Sequence, residues 1–280
     1  MKRIVIPTDF SDNALHAIRY CHNLFLGEEV EFVLLHTFGA DVYTSAATLG
    51  LRADTSAMER QLEDSRRKLD SLKALLQSEY NGFGCSYTLL TRYDFLPDAI
   101  NSLLQEQPAF LVAMGTQGAT GAKEIFLGSN AVRIMQRVTE TAVLAIPEAS
   151  PLVVPRKIAL ATAHTDLPKP DQLAAFRDLA GRYEAQITII HISDEVRLNE
   201  KQKKNRDWLQ EQLAACDPAV FTLDNDHVDQ AIMEYVGNTN TDIIGIISRK
   251  HTFFESLLKR STLKELGYHS KIPLLVMHHQ

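Results

Sequence analysis

Short apolar runs alternate with amphipathic ones along the chain, and the alternation starts again at its midpoint. In the first half the apolar runs are 3–8 (RIVIPT), 30–36 (VEFVLLH), 84–91, 109–114 (AFLVAM) and 141–146 (TAVLAI). Helical patterns separate them: one after Asp9 and through Leu24, one over 57–80 with leucines at 62, 69, 72, 75 and 76, then 97–107 and 131–138. Runs this short and this apolar are buried strands, and strands that alternate with helices form a parallel, doubly wound sheet. Past 150–155 (SPLVVP), a linker bracketed by prolines, the set repeats with strands at 157–162, 185–192, 219–223, 242–247 and 272–277. Helices are expected at 173–183, 200–215, 227–237 and 257–266, and His191 takes the place of His36. The pattern is an internal duplication. It predicts an α/β fold of two tandem doubly wound parallel five-stranded sheets, Rossmann-like, with domains at 1–149 and 150–280.

Composition narrows the function classes. The 280 residues have room for two ordinary domains, 45% of them are apolar, and the net charge of −6 leaves no electrostatic footprint for nucleic acid. No apolar run reaches membrane-span length, and MKRIVIPTDF leads straight into a strand pattern rather than a signal peptide. Cys21, Cys85 and Cys216 are scattered, without CxxC spacing, which suits a reducing, cytoplasmic location.

Chemistry concentrates between the fourth strand and the helix that follows it. Of thirteen glycines, Gly115, Gly118, Gly121 and Gly128 all fall in this one connection. Strand, glycine-rich loop, helix start is how an α/β protein builds a phosphate site: glycine lets backbone approach the phosphates, and the unpaired N–H groups of a helix start attract an anion. The spacing is not a Walker loop, since no GxxxxGK[ST] occurs, nor is it GxGxxG. It reads G-2x-G-9x-G-S at Gly115, Gly118, Gly128 and Ser129, followed by Asn130.

That motif at the end of a short α/β unit resembles the ATP-binding motif of the universal stress protein family, and the whole chain resembles the tandem members of that family. The resemblance implies an ATP-binding first domain and a last strand in each domain that pairs antiparallel with its counterpart. The chain would then be an internal pseudo-dimer; whether it forms a homodimer in addition is left open. It also implies that Asp9 lies beside the nucleoside, that the Pro7, Thr8, Asp9 and Thr37 backbone holds the adenine, and that Met114 borders it. The glycine loop, Ser129 and Asn130 would take the phosphates, with Ser129 within reach of a bridging Mg²⁺. Other readings stand beside these. Asp9, Ser11, Asp12 or Asn13 can cap the first helix, Ser129 can be a plain N-cap, and Met114 can belong to the core.

In the second half the motif is gone. Aligning fourth strands sets Ile247 against Gly115, Lys250 against Gly118 and Arg260 against Gly128; only Ser261 matches, and Ala163 stands opposite Asp9. Large side chains there exclude the same mode of ATP binding. Arg249, Lys250, His251, Lys259 and Arg260 form a basic segment, either solvated charges or a site for another anion. The resulting expectation is a cytoplasmic stress-response protein that binds ATP with Mg²⁺ in its first domain only, as sensor or regulator. The alternatives are a slow ATPase or phosphotransferase in the same pocket, or a nucleotide-independent anion-binding module in the second half. No serine–histidine–acid pattern, no paired carboxylates beside the loop and no arginine finger speak for catalysis.

Overall fold

The computed structural model describes residues 1–39, 55–82, 84–118, 128–192, 198–223, 228–248 and 271–279. The helix expected at 257–266, most of the polar segment 39–55, Gly121 and the basic segment around Arg249, Lys250, His251, Lys259, Arg260 and Ser261 lie outside those residues.

In the first half the strands are β1 (Lys2–Pro7), β2 (Val30–Thr37), β3 (Cys85–Arg92), β4 (Leu111–Gly115) and β5 (Val143–Ile146). Between them run α1 (Asp12–Leu24), α2 (Thr55–Glu79), α3 (Leu96–Glu106) and α4 (Ser129–Arg137). The second half supplies β6 (Lys157–Thr162), α5 (Pro170–Arg182), β7 (Gln186–Ile192), α6 (Glu200–Leu213), β8 (Ala219–Leu223), α7 (Val228–Thr239), β9 (Ile243–Ser248) and β10 (Leu274–His278). Each half orders its strands alike, and the two expected five-stranded sheets are joined as one ten-stranded sheet, β3-β2-β1-β4-β5-β10-β9-β6-β7-β8. All neighbours are parallel except β5 and β10, which pair antiparallel with Leu274 opposite Ala145 and Val276 opposite Val143. That one junction closes two edges whose backbone groups would otherwise be unpaired in apolar strands.

Strand alternation sorts the core into two layers. Ile4, Ile6, Phe32, Leu34 and Leu144 face one layer with α1, α2 and α5, and this layer runs unbroken into Ile158, Leu160, Leu275 and Phe176 of the second half. Val5, Val33, Leu35, Val112, Met114 and Val143 face α3 and α4. Ala159, Ala161, Ile190, Ile244 and Ile246 do the same for α7. An ion cluster also ties the halves together. Lys2 of β1 bonds Asp178 of α5 at 2.6 Å and Glu28 at 2.9 Å, while Arg182 pairs with both acids. The Lys2 ammonium also lies 4.9 Å from the centre of the Phe110 ring, a cation–π contact.

Candidate functional site

The order β2-β1-β4 places the reversal of winding between β1 and β4, so the carboxyl ends of these strands flank a crevice. β1 ends at Pro7, followed by Thr8, Asp9 and Phe10, and Phe10 takes the left-handed conformation with φ 65°. Thr8 holds this turn with every polar atom. Its N–H donates to the Leu35 carbonyl at 2.9 Å, and its hydroxyl accepts from the Phe10 N–H at 3.1 Å. Its carbonyl lies 2.7 Å from Nδ1 of His36; a carbonyl only accepts, so Nδ1 carries the proton. The His36 ring in turn packs on Phe10, with centroids 4.6 Å apart, and Lys68 of α2 brings its ammonium to 5.7 Å from the Phe10 centroid. The charged helix α2 therefore borders the crevice on the β2 side.

Asp9 is exposed and turned toward α1. One carboxylate oxygen accepts from the Ser11 N–H at 3.1 Å and from the Ser11 hydroxyl at 2.6 Å. Ser11, not Asp9, is the N-cap of α1, its hydroxyl accepting from the Ala14 N–H. The second Asp9 oxygen faces the glycine stem: a Cβ on Gly118 would come within 2.8 Å of it.

On the opposite wall β4 ends at Gly115, and a Cβ there would lie 2.4 Å from Oδ1 of Asn13. Asn13 Oδ1 accepts from the Gln117 N–H at 2.8 Å, and its Nδ2 donates to the Ile146 carbonyl at 3.3 Å. Gly128 closes the far end of the loop, donating its N–H to the Thr116 carbonyl at 2.6 Å. Gly128 is itself the N-cap of α4 and Ser129 the first helical residue, so no side chain caps the helix start. The N-cap thus offers no side-chain acceptor to the first-turn amides, and the helix starts beside the exit of β4.

These positions separate the expected site residues into groups. Asp9, Gly115, Gly118 and Gly128 converge on the crevice, and Ser129 and Asn130 are exposed on the first turn of α4. Met114 is buried with Val112 on the α3–α4 face of β4, a core position. Pro7 is buried, and Thr37 ends β2 in register with Arg92. The glycines of the stem answer first to the protein's own atoms, at Asn13, Asp9 and Thr116, before any ligand is considered. Asn13 was readable from sequence only as a capping residue among several.

The second half repeats the scaffold and changes its contents. Thr162 again accepts an N–H two residues on, from His164 at 3.0 Å, and His164 again is left-handed with φ 56°. His191 Nδ1 points at the Thr162 carbonyl, 3.4 Å away, as His36 does at Thr8. Strand register sets Ile243 on Ile158 where Leu111 stands on Ile4, which places Ile247 where Gly115 is. His164 replaces Phe10, stacks on His191 at 4.8 Å, is 2% exposed, and has neither ring nitrogen hydrogen-bonded. Burial, then the neighbouring His191 and Arg206, hold its pKa down at about 4. Among the described residues no cluster of three or more His, Cys, Asp or Glu is placed to hold a metal, and no helix is long and apolar enough to cross a membrane.

Comparison with known proteins agrees with this architecture. The universal stress protein family model matches residues 1–147. Two universal stress proteins of Methanocaldococcus jannaschii are 24% identical over 148 residues and 27% identical over 138. The matches cover 49% and 48% of this chain, and 89% and 76% of those proteins. A crystal structure of a universal stress protein from Archaeoglobus fulgidus superposes over 99% of this chain and 96% of its own, with a TM-score of 0.66 at 17% identity. At that identity the likeness is one of fold.

Proposed function

The chain belongs to the universal stress protein family, and from that premise we propose that its first half holds one adenine nucleotide, ATP with Mg²⁺, at the β1–β4 crevice. Occupancy of that site would be the signal by which the protein acts as sensor or regulator in a stress response. The observation that carries the reading is the start of α4. A glycine occupies its N-cap and so offers the first amides no capping side chain, whereas α1 beside it is capped by Ser11. A phosphate supplies the anionic acceptor that this helix start lacks.

The residues fit such a ligand in distinct ways. The first-turn amides with Ser129 and Asn130, both exposed, would hold the phosphates, and the Ser129 hydroxyl would serve as a ligand to Mg²⁺. Asp9 faces the stem at Gly118 and accepts from a ribose hydroxyl or an exocyclic amine. Thr8 contributes through shape, because its own carbonyl and amide are engaged with His36 and Leu35. The second half, with Ile247 in place of Gly115 and Ala163 in place of Asp9, takes no nucleotide in this mode. We place the protein in the cytoplasm, where its three free cysteines stay reduced. Denaturing the purified protein and analysing the supernatant by mass spectrometry tests the reading. Intact adenine nucleotide at one per chain supports it, and only product nucleotide after incubation with Mg·ATP moves it to an enzyme.

A further inference from the structure

Asn13 lies in the first turn of α1, only 3% exposed, between β4 and β5. Its amide oxygen accepts from Gln117 in the loop stem at 2.8 Å, and its amide nitrogen donates to Ile146 at the end of β5 at 3.3 Å. The two partners fix the orientation of the amide, since one is a donor and the other an acceptor. Gly115 makes the approach possible: a Cβ there would come within 2.4 Å of Oδ1, 2.8 Å of Cγ and 3.0 Å of the Asn13 carbonyl oxygen. The neighbouring stem residue, Thr116, accepts the N–H of Gly128, the cap of α4. A short chain of bonds therefore runs from β5 through Asn13 to the stem, and from the stem to the start of α4.

We propose that Asn13 is a positioning residue that sets the start of α4 over the crevice, and with it the phosphate contacts, without touching the nucleotide. The inference rests on the nucleotide reading above. Its logic is that a helix start binds an anion well only when its amides are held in one place beforehand; ordering them on binding weakens the affinity. In the second half the corresponding strand residue is Ile247, which carries a branched side chain where Gly115 has none. The glycines of the phosphate motif are missing from the sequence of that half as well.

The test compares ATP and adenosine binding by calorimetry for wild type, Asn13→Ala, Gly115→Ala and the double variant. Asn13→Ala removes both bonds, and the expected result is an ATP Kd raised about tenfold with the adenosine Kd changed less than about twofold. Gly115→Ala drives the amide away and gives the same selective loss, while the double variant loses less than the sum of the singles, because the two closest clashes are with the amide that Asn13→Ala removes. Hydrogen exchange at the Gln117 amide, slow in wild type and fast in Asn13→Ala, reports the clamp without ligand. Equal weakening of ATP and adenosine, unchanged ATP binding, or additive losses overturn the inference while leaving the nucleotide site standing. Wild type that binds neither compound overturns the nucleotide reading and the clamp's role with it.

Discussion

Replacing His164 by phenylalanine copies Phe10 of the first half into the equivalent turn, and the structure fixes what this does to acid stability. His164 is buried against His191, with both ring nitrogens lacking a partner. Folded, it titrates at about 4. An unfolded histidine titrates at about 6.5, so between those values the unfolded chain binds the extra proton. The contribution to stability is thus complete above about pH 6.5, is lost as pH falls toward 4, and changes no further below that. From the two pKa values the loss is about 2 kcal/mol at pH 5 and about 3 kcal/mol at full extent. Phenylalanine has nothing to titrate. His22 and His278, also held down at about 4 by burial, are present in both proteins and cancel in the difference. Urea unfolding at pH 7.5 and pH 5 is the assay. Wild type should lose about 2 kcal/mol more than His164→Phe between the two pH values. Parallel losses in the two proteins would refute the reasoning, as they would mean that folded His164 takes a proton as readily as an unfolded one.

Two further perturbations probe the joining of the halves. Lys2→Met leaves Asp178 and Glu28 sharing only Arg182; the ion cluster is partly screened, so a loss of about 1–2 kcal/mol is expected in urea unfolding, and an unchanged midpoint would contradict it. Val276→Asp sets a carboxylate into the fully buried β5–β10 junction opposite Val143. That should cost more than about 4 kcal/mol and abolish the cooperative thermal transition followed by circular dichroism. A native-like transition would show that the junction is not where the halves are held.

Much of this arrangement is legible in the residues. The apolar runs mark the inner strands because those are buried on both faces, as at Val30–Thr37 and Leu111–Gly115, whereas the edge strands β3 and β8 are not. The duplication is visible because His36 and His191 recur at one strand position, and both reach back to the carbonyl of a threonine on the neighbouring strand's exit. Ends of elements are less visible: the pattern starts the first helix of the second half at Leu173, but α5 begins at Pro170, whose fixed φ suits the first helical position. Read from sequence, the glycine motif marks a ligand loop, and the missing Cβ atoms are assigned to a ligand. Distances assign those at Gly115 and Gly118 to Asn13 and Asp9, contacts across about a hundred residues that no local pattern encodes. Asn13 shows the same limit. As one of several polar residues before a helix it looks like a cap, and only the folded chain reveals that Ser11 takes that role and leaves Asn13 for the stem. The exchange of Phe10 for His164 follows from the alignment that sets Ala163 opposite Asp9, but the burial of that histidine in a left-handed turn, stacked on His191, shows only in the fold.

The central claim is one nucleotide site per chain, built on the start of α4. Calorimetric titration of wild type and Gly128→Lys with Mg·ATP tests it most directly. Lysine at Gly128 puts a Cβ 3.1 Å from the Thr116 carbonyl and a long basic side chain at the N-cap, the residue class that the aligned sequence of the second half carries at Arg260. The account predicts a single site per chain in wild type and none in Gly128→Lys, with the variant still folded by circular dichroism. Two sites per chain, or undiminished binding in Gly128→Lys, would contradict it.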